Sequence, residues 1–79
     1  MERSEISERF KQIVGDELNI PVDELQDTKT FRSLGADSIN VLNVVMEAEK
    51  EFEIKIPDED AEKLDTVGNT IDYIKRKAK

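Results

Sequence analysis

The sequence predicts an all-α fold, a small bundle of three long helices plus one short one. Three observations lead there. Apolar side chains recur at helical spacing in three separate segments. The 79 residues and 37% apolar content suit a single helical domain that leaves much polar surface. The stretches between the segments carry proline, glycine and acidic residues of the kind that stop or start helices.

The first helix places Ile6, Phe10, Ile13, Val14 and Leu18 along one side, with Glu5, Glu8, Arg9, Lys11 and Glu17 mostly on the other. Ser4 is the expected N-cap, and Pro21 halts the helix soon after Asn19. Gly15 interrupts the pattern at a cost of about 1 kcal/mol relative to alanine; a close helix–helix contact is the expected reason. Residues 20–36 read as a long irregular connection pinned by Val22, Leu25, Phe31 and Leu34. Connections of that length are uncommon in small domains and are often functional.

A second helix is expected over 38–52. Ile39, Val41, Leu42, Val44, Val45, Met46, Ala48 and Phe52 make an apolar sector wider than one core-facing stripe, so part of it is expected to stay exposed for a partner. Its β-branched residues keep a strand open as an alternative, against which its length and amphipathic second half argue. Pro57 followed by Asp58, Glu59 and Asp60 starts a short helix, since anions are favourable at a helix N-terminus. The last helix, 66–77, buries Val67, Ile71 and Ile74 with Tyr73 beside them. It ends in KRKAK, cations that the helix dipole favours at that end.

Composition removes several kinds of chemistry. Without cysteine the chain offers no disulfide, thiolate metal site or thiol chemistry of its own. Without histidine it lacks the usual general base, and a Ser-His-Asp arrangement is impossible. A Ser–Lys pair stays open, but no oxyanion hole or substrate pocket accompanies it. The acids after Asp58 lack the spacing of an EF-hand loop. No secretory signal or bilayer-spanning stretch is visible, so a cytoplasmic protein without membrane insertion is expected. The net charge is −7, and its acidity peaks in residues 37–60, which hold eight acidic and two basic side chains. Such a surface repels nucleic acid and steers toward basic protein patches; as a solvated charge run it also keeps the protein in solution.

The acidic stretch begins at SLGADSI, residues 33–39. Locally this is a turn ending in an Asp or Ser N-cap. A serine at a helix N-terminus can do more, because free backbone N–H groups and the helix dipole stabilise a phosphate there. A phosphodiester-linked arm on that hydroxyl, ending in a thiol, would supply the chemistry that a cysteine-free chain lacks.

FRSLGADSI resembles the modification motif of acyl carrier proteins and related thiolation domains, usually written around Gly-x-Asp-Ser-Leu. IVGDEL resembles the first helix of that family, and NVVMEAEKEFEIKIPDEDAEKLDTVGNTIDYI its second, third and fourth helices. The resemblance covers essentially the whole chain and implies a four-helix carrier-protein bundle. It implies that Ser38 receives 4′-phosphopantetheine from coenzyme A through a phosphopantetheinyl transferase, with Asp37 helping to hold the divalent ion. Ile39, Met46, Glu49, Ile56 and Asp58 match positions that partner enzymes grip with basic docking patches. The arm carries acyl groups as thioesters between enzymes, and the chain itself, expected to be a monomer, catalyses nothing.

Two departures from the family pattern bear on the pathway. Fatty-acid-type carriers typically read Phe-x-x-Asp-Leu before the glycine, whereas this chain reads Phe31-Arg32-Ser33-Leu34, one residue shorter, a spacing more like that of polyketide and nonribosomal-peptide carriers. Asn40, Asn43 and Lys50 stand where housekeeping carriers usually have acids. A specialised acyl or polyketide pathway is the expectation, with housekeeping fatty acid synthesis second. A peptidyl or D-alanyl carrier and an unmodified acidic adaptor are the alternatives.

Overall fold

A computed structural model describes residues 1–78. In chain order these form α1 (Arg3–Leu18), a 3-10 turn (Val22–Glu24), α2 (Ser38–Phe52), the single-turn α3 (Asp58–Ala61) and α4 (Val67–Lys77). Among the described residues the only β pairing is an isolated bridge between Thr30 and Thr66, so the strand alternative for 38–52 is not taken. No described helix is long and apolar enough to cross a membrane.

Helix α1 is the centre of the packing and lies against both α2 and α4. It buries Ile6, Phe10 and Val14 completely. Val44, Ala48 and Phe52 of α2 and Val67, Ile71 and Ile74 of α4 close over them. Phe10 meets Phe31 of the connection edge-on, with ring centroids 6.3 Å apart, a geometry favourable for paired aromatics. The anchors expected in the connection divide: Leu25 and Phe31 are buried and Leu34 half-buried, but Val22 is exposed on the 3-10 turn.

Two further expectations are corrected. The N-cap of α1 is Glu2, whose side chain makes no capping bond, and Ser4 already lies inside the helix. Gly15 is required by the chain leaving α1, not by another helix. A Cβ there would sit 2.8 Å from the carbonyl oxygen of Ile20. The Ile20 N–H donates back to the Gly15 carbonyl at 3.1 Å, while Asn19 turns the chain in a left-handed conformation, φ 62°.

The long connection is tied to α4 mainly through the main chain. The amides of Val67 and Gly68 donate to the carbonyls of Lys29 (3.0 Å) and Asp27 (2.9 Å), and the Phe31 amide donates to Asp65 (3.1 Å). These bonds satisfy the free N–H groups at the start of α4, where Thr66 also caps through its side chain. The Asp27 carboxylate pairs with Arg3 (2.9 Å) and Lys11 (3.1 Å), and Arg3 also reaches Asp72 at 2.7 Å.

Two side chains fasten α3 and the segment before it. Glu49 of α2 accepts a hydrogen bond from the Ile56 amide at 2.8 Å. The Tyr73 hydroxyl of α4 donates to Asp60 at 2.6 Å; burial and then the neighbouring carboxylate push its pKa up to about 12. The last turn of α4 carries Lys75, Arg76 and Lys77, with the latter two cations over the Tyr73 ring. Lys79 lies outside the described residues.

Candidate functional site

The turn before α2 is built to stop the connection and start a helix in a fixed direction. Thr30 caps it locally: its hydroxyl accepts from the Ser33 amide, and its carbonyl accepts from the Ser33 hydroxyl. Gly35 has φ 81° and nothing within 4 Å of where a Cβ would lie, so the backbone conformation alone calls for glycine. The Asp37 carboxylate then accepts from the Asn40 amide at 2.9 Å, and the Asn40 side-chain oxygen accepts from the Asp37 amide at 3.1 Å. This reciprocal capping box fixes the first turn of α2.

Asp37 thus does the capping, and Ser38 stands free of that task. Ser38 is the first residue of α2, is exposed, and lines a groove of about 800 Å³. Its lining includes Val41, Leu42 and Val45 of α2, Asp58 and Ala61 of α3, Leu64, and the charged Arg32, Glu62 and Asp65. Behind it lies a nearly closed apolar space of about 10 Å³ that shares Val41, Val45, Ala61 and Leu64 with the groove. A space that small scarcely admits one water molecule.

The breadth of α2's apolar sector has the expected result. Ile39, Leu42 and Met46 are 67%, 55% and 47% exposed and follow one another at helical spacing along one outward stripe. Asp58 is exposed at the first position of α3, on the groove wall. Glu49 is half-buried and engaged with the Ile56 amide. Ile56 is the correction among these residues: only 5% exposed, it belongs to the core and offers partners no accessible side chain. Its apolar character alone could not tell the two roles apart.

Glu17 was not among the residues expected here, yet it reaches the site from α1. One of its oxygens accepts from the side-chain amides of both Asn40 (3.0 Å) and Asn43 (3.1 Å). Those bonds, Asn43's first and then Asn40's, hold its carboxyl below the usual glutamate range. The only sequence signal was the pair of asparagines three residues apart, which share one helix face. Leu42 was visible only as part of the wide apolar sector.

The site is thus a capped helix start with an exposed serine beside a groove, set on four helices. Residues 8–74 match the family model described as the phosphopantetheine attachment site, and the chain belongs to that family. Its fold is the acyl carrier protein fold. The acyl carrier protein of Enterococcus faecalis is 39% identical, with a TM-score of 0.84 over 99% of this chain and 100% of that one. That of Thermotoga maritima is 34% identical, with a TM-score of 0.83 over 98% of this chain and 91% of the other.

Proposed function

We propose that the protein is an acyl carrier whose Ser38 bears 4′-phosphopantetheine. The observation that carries this reading is the division of labour at the start of α2. Asp37 caps the helix, and the adjacent Ser38 is left exposed beside the groove. The family's group fits this position, since a phosphodiester on Ser38 would lie at the N-terminus of a 15-residue helix, where the dipole favours negative charge. When attached, the group supplies the thiol that the chain lacks.

In the loading reaction Ser38 Oγ forms a bond to the β-phosphorus of coenzyme A's pyrophosphate. Adenosine 3′,5′-bisphosphate departs, and the hydroxyl proton passes to a base of the transferase. Asp37 caps α2 with one carboxylate oxygen and has a second for the divalent ion. Among the described residues no group of three or more His, Cys, Asp or Glu side chains could hold a metal.

The exposed stripe of Ile39, Leu42 and Met46, with Asp58 inside the acidic stretch 37–60, suits enzymes that present an apolar contact ringed by basic residues. A specialised acyl or polyketide pathway is favoured over housekeeping fatty acid synthesis by Asn40, Asn43 and Lys50, which remove negative charge from α2. The cargo is an acyl chain and the chain itself catalyses no step.

The test is intact mass after incubation with coenzyme A, Mg²⁺ and a broad-specificity phosphopantetheinyl transferase, for the parent and Ser38→Ala. One added phosphopantetheinyl group, absent from the variant, is the expected result. No addition with several transferases would leave a carrier fold used as an adaptor.

A further inference from the structure

The Asn40 side chain hydrogen-bonds both α1 and the modification turn. Its oxygen accepts from the Asp37 amide, while its nitrogen donates to Glu17. A carboxamide can do both only in one orientation, and Glu17, which has only acceptors when ionised, decides which end faces α1. Asn43 adds a second donor to the same Glu17 oxygen. The first turn of α2 is thereby joined to the central helix of the bundle across 23 and 26 residues of sequence.

We propose that Glu17 is a positioning residue for the modification of Ser38: it locks the Asn40 carboxamide, and through it the Asp37–Asn40 capping box, so that Ser38 and the Asp37 carboxylate are presented together to the transferase. The proposal rests on the carrier reading above. It also accounts for the asparagines. An aspartate at position 40 could still cap the Asp37 amide but would set a second carboxylate against Glu17, so the glutamate on α1 and the amides on α2 form one matched set. The negative charge that α2 lacks at these two positions is brought from α1 instead.

The experiment measures kcat/KM for transfer of phosphopantetheine from coenzyme A onto the parent, Glu17→Ala, Glu17→Gln, Asn40→Asp and the double variant Glu17→Gln/Asn40→Asp. Glu17→Ala, which removes the acceptor that orients the Asn40 carboxamide, and Asn40→Asp, which sets a carboxylate against Glu17, are expected to slow transfer roughly tenfold. Glu17→Gln keeps an acceptor oxygen for the carboxamides and recovers most of the rate. The double variant also recovers, because glutamine's own N–H can donate to the introduced carboxylate. In Glu17→Ala, the Asp37 amide should exchange with solvent faster while amides in the core of α1 and α4 stay protected, which a general loss of stability would not produce.

Transfer onto Glu17→Ala within about twofold of the parent overturns the proposal. So does a Glu17→Gln as slow as Glu17→Ala, which would make the charge, not the hydrogen-bond geometry, the operative feature. A parent that accepts no phosphopantetheine at all refutes the carrier reading itself, a distinct result.

Discussion

Glu49 stands at a position that the family resemblance assigns to partner binding, but inside the molecule it already has an occupation. Its carboxylate accepts from the Ile56 amide at 2.8 Å, and Ile56 is only 5% exposed. Truncation by Glu49→Ala removes that acceptor and leaves a buried N–H unmet. Such a loss costs about 1–3 kcal/mol, toward the upper part of the range where the acceptor is charged. Taking about 2 kcal/mol, and about 4–8 °C per kcal/mol for a domain of this size, the melting temperature should fall by about 8–16 °C. Glu49→Gln retains an acceptor oxygen and should stay within about 1 kcal/mol of the parent. Thermal and urea unfolding followed by circular dichroism measure both. If Glu49→Ala melts within about 2 °C of the parent, the Ile56 amide is satisfied another way and the reasoning fails. The comparison also guards the functional assay: a partner that binds Glu49→Ala poorly but Glu49→Gln well is responding to a disturbed α2–α3 segment, not to a missing charge.

Gly15→Ala should destabilise by about 1 kcal/mol net, since about 2 kcal/mol of overpacking against the Ile20 carbonyl outweighs about 1 kcal/mol of improved helix propensity; a raised urea midpoint would contradict this. Asp27, held below the usual aspartate value of 3.8 by Arg3 first and Lys11 in addition, contributes stability that is present above that value and lost as pH falls through its folded-state pKa. The stability gap between the parent and Asp27→Asn should therefore narrow from pH 7 to about pH 3 in urea titrations, and a gap that stays constant would refute it. Millimolar Mg²⁺ or Ca²⁺ should raise the melting temperature by relieving repulsion among the acids of residues 37–60, and an unchanged midpoint counts against that. Loading acyl chains of increasing length should shift the NMR signals of Val45, Ala61 and Leu64, if the 10 Å³ space opens to accept methylenes at about 0.8 kcal/mol each. Unchanged signals would place the chain outside.

The helices were legible because their causes are local. Apolar spacing marked α2 and its approximate bounds, and Asp37 beside Ser38 marked its start, although only the structure decides that the aspartate does the capping. What escaped was whatever depended on the main chain or on distant partners. The reason for Gly15 is a carbonyl oxygen five residues on, which has no side-chain signature. Val22 and Leu25 are both apolar and three residues apart, and only the direction taken by the 3-10 turn exposes one and buries the other. Glu17 looked like any acid on the outer face of α1 until α2 brought two carboxamides against it. The place of Ser38 at the start of α2 was readable from its motif, whereas the burial of Ile56 required the packing.

The way residues 27–31 are fastened to the start of α4 bears on how this chain can change. Amide-to-carbonyl bonds hold the Lys29 and Asp27 carbonyls to Val67 and Gly68, and the Phe31 amide to Asp65. Such links ask nothing of the side chains at Thr28 and Lys29, which point to solvent exposure rather than to the core. Those two positions are therefore open to wide replacement, and they offer attachment points for a dye, a spin label or a surface charge that leave the serine and its groove untouched. The same economy lets selection alter the outer face of the connection without renegotiating the fold beneath it.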